Sequence, residues 1–161
     1  MMRPLALLLS LATALPAAAQ SVPDQSTAKK QLFGTRASTL TVIAQPFLSA
    51  AEIATLQAMP EVATLTYYGA LAVAPAAGLE DEASTGSFNY HSLEAARAAA
   101  IAGCNAKRRG GPACAVVAEV SPRSYAPGRA LTLSQDATRA VDGRAFRRAG
   151  RDAALAISPG T

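Results

Sequence analysis

Tyr67-Tyr68-Gly69-Ala70-Leu71-Ala72-Val73 is followed, after a break at Pro75 and Gly78, by Ser87-Phe88-Asn89-Tyr90. The first stretch is the centre of a β-rich run from Val62 to Ala74, and the second reads as a short return strand after a polar turn. Strands joined this locally pair antiparallel. A hairpin over residues 66–90 therefore points to an α+β domain, a small mixed sheet with about three helices packed on one face. The alternative is an α/β domain with a wholly parallel sheet, because helices and strands alternate through the rest of the chain.

Before the hairpin, Thr39-Leu40-Thr41-Val42-Ile43 is a short β-type run stopped near Pro46. Ser49-Ala50-Ala51-Glu52 then spells a capping box, with Leu48 and Ile53 at the hydrophobic-staple positions and Pro60 ending the helix. After the hairpin, Ser92 serves as an N-cap and Glu94 lies in the first turn, where a negative charge suits the helix dipole. Leu93, Ala96, Ala100 and Cys104 recur at spacings of three and four, which places all four on one face. Ala115 to Val120 form an apolar strand ended by Ser121-Pro122. A last helix starts from Ser134, and Gly143 divides it into two short pieces.

Ala70-Leu71-Ala72-Val73-Ala74-Pro75 and Ala154-Leu155-Ala156-Ile157-Ser158-Pro159 match in kind at every position, with Val116 to Pro122 a looser third copy. A helix–strand–Pro unit used three times is the expectation, against chance matching in an alanine-rich chain. With no Trp and only 5% aromatics, the core must be built from Ala, Leu, Val and Ile.

The first residues show Arg3, an apolar run from Leu5 to Leu15, Pro16, and Ala17-Ala18-Ala19. A positive end, a short apolar run and a small-x-small site predict a cleaved secretory signal over residues 1–19, with Gln20 first in the mature chain. The run is short of the ~20 residues a membrane span needs. Residues 20–38, rich in Ser, Gln, Lys and Thr, read as a flexible leader, and residues 39–161 as one globular domain. The expected location is periplasmic or secreted. The net charge of +4 comes from scattered arginines, which permits an anionic envelope partner but gives no sign of nucleic-acid binding.

Cys104 and Cys114 are the two cysteines, and an oxidising compartment makes a bridge between them the expectation. Gly110-Gly111-Pro112 can reverse the chain between them, and closing such a loop stabilises by about 2.5–3 kcal/mol. The spacing is not the Cys-x-x-Cys of a redox pair, and no metal site is expected from two cysteines and one histidine.

Tyr68-Gly69-Ala70-Leu71-Ala72, the Ser92–Cys104 helix, the Cys114-Ala115-Val116-Val117 strand and the closing Ala-Leu-Ala-Ile-Ser-Pro together resemble a family. It comprises small secreted bacterial proteins with an uncharacterised Gly-Ala-x-Ala/Cys…Cys domain, and the likeness runs from about Tyr67 onward. The chain departs from the pattern at Leu79-Glu80, where relatives often have an aromatic-Gly step, and many of them continue past the final Ser-Pro. The resemblance implies fold and export without an activity. Some similar chains carry an aminolevulinate-synthase name, which would require a pyridoxal-phosphate lysine. Here Lys29 and Lys30 fall in the leader and Lys107 in a loop, so no cofactor is expected.

His91 is the one histidine and the weak catalytic candidate, beside Ser92, which is better used as a cap. Glu80-Asp81-Glu82 lacks the alternating ligand spacing of a calcium loop and reads as a solvated turn. Lys107-Arg108-Arg109 follows a helix C-terminus, where cations meet the dipole. The same three residues are the candidate patch for gripping an anionic partner through arginine forks. Tyr67, Tyr68, Phe88 and Tyr90 line a groove or pack the core. The leading expectation is a non-enzymatic binding protein of the envelope, acting near the Cys104–Cys114 loop. The alternative is a small periplasmic hydrolase using His91, and a third reading is a purely structural envelope protein.

Overall fold

The computed structural model describes residues 22–59, 64–150 and 153–158. The expected signal over residues 1–19, the start of the β-rich run at Val62 and the closing Pro159 lie outside the described residues. In chain order the elements are α1 (Gln25–Gln31), β1 (Ser38–Val42), α2 (Ala50–Gln57), β2 (Gly69–Val73) and β3 (Thr85–Ser87). There follow α3 (Leu93–Lys107), β4 (Ala115–Pro122), α4 (Gln135–Asp142) and α5 (Arg144–Arg148).

The capping signals act where the sequence places them. Ser49 Oγ accepts from the Glu52 amide at 3.2 Å, and Glu52 Oε2 accepts from the Ser49 amide at 2.8 Å, opening α2. The other Glu52 oxygen accepts from the Leu79 amide at 2.9 Å and ties α2 to the turn after β2. Ser92 caps α3 by accepting from the Ala95 amide, and Ser134 caps α4 through Ala137. Gly143 separates α4 from α5, as expected of a residue that weakens a helix interior.

The four strands form one sheet in the order β1-β4-β2-β3. Every neighbouring pair is antiparallel, so the expected mixed sheet, and the parallel alternative with it, give way to an all-antiparallel one. The α+β class stands. The return strand is Thr85–Ser87, earlier than expected, with Ala70 opposite Ser87 and Leu71 opposite Gly86. Beyond it Asn89 turns the chain at φ 67°, and Tyr90 pairs back to Tyr68 through two backbone hydrogen bonds.

Helices cover both faces of the sheet, not one. Successive strand side chains point to opposite faces, and the core divides accordingly. Ala70, Ala72 and Ala74 pack with Leu93, Ala96, Ala100 and Cys104 of α3. Leu71 and Val73 pack with Ile53 and Leu56 of α2 and with Val117. All four α3 positions singled out by periodicity are buried. Across this layer Arg97 of α3 grips Glu119 of β4 with two bonds, Nε–Oε1 at 2.6 Å and Nη2–Oε2 at 2.9 Å. Tyr67 and Tyr68 are core residues, stacked edge-on with Tyr125 in a chain that reaches Phe33.

Two expectations are corrected. Residues 22–38, read as a leader, contain α1, capped by Asp24, and they send Ala28, Leu32 and Phe33 into buried positions. Arg129 lies 3.7 Å from the centroid of the Phe33 ring and donates to the carbonyls of Gln31 and Leu32. The copy of the repeat at Ala154 also fails: residues 153–158 form no strand, although Ala154 to Ser158 match β2 in kind, whereas the looser copy at Val116 to Pro122 lies in β4.

Phe88 explains two glycines. A Cβ on Gly69 would lie 2.3 Å from Phe88 Cδ1, and one on Gly86 would lie 2.7 Å from Cε2, so the ring covers both strands where side chains are missing. Gly69→Ala should expel the ring and lower the unfolding free energy by about 1–2 kcal/mol in urea denaturation. Adding Phe88→Ala removes the clash, so the double variant should lose clearly less than the sum of the two single changes. Strict additivity would mean that the ring does not sit there.

Candidate functional site

Cys104 and Cys114 form the disulfide, with Cα atoms 6.1 Å apart, joining the inner face of α3 to the start of β4. The loop between them turns at Gly110 and Gly111, both at positive φ. Asn105 Oδ1 accepts from the Cys114 amide at 3.0 Å and from Arg108 Nε at 2.9 Å, while Arg108 also donates to the Gly111 carbonyl. Arg108 thus braces the loop from within. Lys107 donates to Thr85 Oγ1 at 3.3 Å. Arg109 is the outward cation of the three, and it faces Glu82 at 3.5 Å across open solvent. An ion pair this exposed contributes little stability. The candidate basic patch therefore divides into two bracing residues and one exposed one.

Within the acidic run, Asp81 Oδ1 accepts from the Ala83 amide and shapes a turn. This accords with the solvated-turn reading.

His91 is brought to the start of α4, where its Nδ1 accepts from the Ser134 amide at 2.9 Å. A backbone N–H can only donate, so Nδ1 is unprotonated and the neutral ring carries its proton on Nε2. A triad histidine has the opposite polarity: its Nδ1–H donates to the orienting group, which frees Nε2 to act as base. Asn89 completes the arrangement, accepting from the Asp136 amide and donating to the Asp136 carboxylate. Gln135 donates its amide to the Tyr67 carbonyl. The first turn of α4 is thus clamped onto the end of the β2–β3 hairpin by side chains and backbone together.

Burial pushes the His91 imidazole below its usual 6.5. The fold then favours the neutral form while the unfolded chain titrates normally. Stability from this clamp is present above the unfolded value and lost as pH falls from there through the lower folded value. Thermal or urea midpoints should fall between about pH 7 and pH 5, and His91→Gln should flatten that slope. An unchanged slope in the variant would assign the pH dependence to other groups.

One feature was not foreseen from the sequence. A cavity of about 350 Å³ opens between the N-terminal end of α1, α4, α5 and the segment 153–158. Ala28, Leu133 and Val141 form its floor, as part of a small core cluster separate from the sheet layers. Phe146, Leu155 and Ile157 add apolar walls, and Leu155 and Ile157 are 40% and 43% exposed. Among the described residues its charged lining is Asp24 and Arg147. Asp24 is spent on the α1 cap, accepting from the Thr27 amide at 2.7 Å, which also holds its carboxyl below the usual range. On the adjoining α1 and α4, Asp142 pairs with Lys29. Arg144, Arg147 and Arg148 form no ion pair among the described residues, and Arg151 lies outside them.

No family model, no curated protein and no solved structure matches the chain. Among the described residues no helix is long and apolar enough to cross a membrane.

Proposed function

We propose that the chain is an exported, non-enzymatic binding domain that holds another envelope or secreted molecule. The observation that carries this reading is the open apolar cavity flanked by arginines that form no ion pair among the described residues, a shape and lining suited to a ligand. The candidate chemical groups are meanwhile used to hold the fold: His91 anchors α4, Ser92 caps α3, and Arg108 braces the disulfide loop. The disulfide and the apolar N-terminal run support export. The resemblance to small secreted bacterial proteins points the same way. The exposed Arg109 side of the Cys104–Cys114 loop is the second candidate contact, for an anionic partner.

Two measurements test this. Cell fractionation followed by N-terminal sequencing should find the protein in the periplasmic or secreted fraction, beginning at Gln20; protein confined to the cytoplasm with Met1 retained would overturn export. The rival hydrolase reading requires ester or amide turnover that disappears in a folded His91→Gln variant. The binding reading expects neither turnover nor dependence on His91, and a positive result would replace it.

A further inference from the structure

We infer that the cavity between α1, α4–α5 and residues 153–158 takes one single-chain anionic amphiphile, a fatty carboxylate with its chain inside and its head at Arg147. This rests on the binding reading above and gives it a ligand class. At roughly 30 Å³ per water-sized group, a cavity of about 350 Å³ holds on the order of a dozen methylenes. Its floor and walls are apolar, as an alkyl chain requires. Leu155 and Ile157 extend the apolar surface outward along the opening.

Charge selects the head group. Asp24, the acid among the described lining residues, stays ionised, but its carboxylate is turned to the N-terminal end of α1, where it accepts from the Thr27 amide, and Asp142 is already paired with Lys29. Arg147 lines the cavity and is exposed at its mouth, with Arg144 and Arg148 on the same short helix. An exposed arginine beside an apolar cavity, without an ion pair among the described residues, matches a carboxylate in both charge and fork geometry. A neutral chain would fill the same space and leave the arginines unanswered. A cationic amphiphile would meet like charge.

The test titrates protein purified from expression of the full chain with laurate, dodecanol and dodecyltrimethylammonium, each below its micellar concentration. Binding is read by displacement of a fluorescent fatty-acid probe and by native mass spectrometry. One laurate per chain is expected, with dodecanol and Arg147→Ala each weaker by about tenfold, the size of one charge-assisted bond. Added salt should weaken laurate and leave dodecanol unchanged. Leu155→Glu, on a segment without regular structure, should abolish laurate binding while circular dichroism stays as in the parent. Equal binding of laurate and dodecanol overturns the head-group assignment. So does an Arg147→Ala variant of unchanged affinity, and tighter binding of the cation does the same. No binding of any chain, or a cavity closed by self-association in size-exclusion chromatography, overturns the ligand class. The broader binding reading falls separately, on His91-dependent turnover.

Discussion

Replacing Ala100 by leucine is expected to lower the unfolding free energy by about 3 kcal/mol, the upper end of the usual cost of overpacking. Ala100 is fully buried on α3 and belongs to the cluster in which α3 meets Ala70, Ala72 and Ala74 of β2. Both sides of this contact are methyl groups, so helix and strand approach closely and no rotamer of a longer side chain finds space. Relief requires moving α3, yet α3 is fixed at its C-terminal end by the Cys104–Cys114 bridge and at its middle by Arg97 on Glu119. A domain with a total stability of about 5–15 kcal/mol feels such a change strongly. Ala98→Leu, on the exposed side of the same helix, is the control and should stay within about 0.5 kcal/mol of the parent. Urea denaturation measures both. Equal midpoints for Ala100→Leu and the parent would mean that the alanine stripe does not form the contact.

The second large effect is removal of the disulfide. Cys104→Ala with Cys114→Ala should cost about 2.5–3 kcal/mol from the closed loop alone, by the chain-entropy relation for cysteines ten residues apart. Cys104 is also fully buried, so lost packing adds to that figure. Alanine is the informative replacement, because serine would place a hydroxyl among apolar neighbours. Reduction of the parent by dithiothreitol should lower the midpoint by a comparable amount without the packing loss. The difference between the two experiments isolates what the sulfurs contribute as core atoms. Midpoints that match the parent in both cases would remove the bridge from the account of stability.

The sequence is legible where a local interaction decides the outcome. The Ser49–Glu52 box, the Ser92 and Ser134 caps, the break at Gly143 and the buried stripe ending at Cys104 each depend on residues within a few positions of one another. Strand direction does not. Ser38 pairs with Pro122 and Gly69 with Val120, partners far apart in the chain, and nothing near either residue records the choice. Ala154 to Ile157 illustrate the same point, since their composition suits a strand but no strand forms there. The Asp24 cap was legible in principle, but the polar run after it shows no apolar stripe. What holds α1 is remote: Gln25 donates to the Val141 carbonyl, and Lys29 meets Asp142. His91 was singled out for its chemistry, and its actual partner is a backbone amide forty-three positions away. The cavity draws its lining from three separate parts of the chain, so no window of sequence contains it.

The strand order carries a consequence in time. A chain delivered N-terminus first presents β1 early, yet β1 has β4 as its neighbour in the sheet, and β4 is the last strand. The β2–β3 hairpin can close on its own, whereas β1 must wait, with its edge unmatched, until residues 115–122 arrive and insert between it and β2. Pairings of this long range are slow to form and leave incomplete chains exposed to aggregation. A polypeptide halted before Ala115 would therefore possess the β2–β3 hairpin and the segments of α1, α2 and α3, but not the four-stranded sheet. The last strand acts as a completion signal: until it is released, the molecule has no native state to reach.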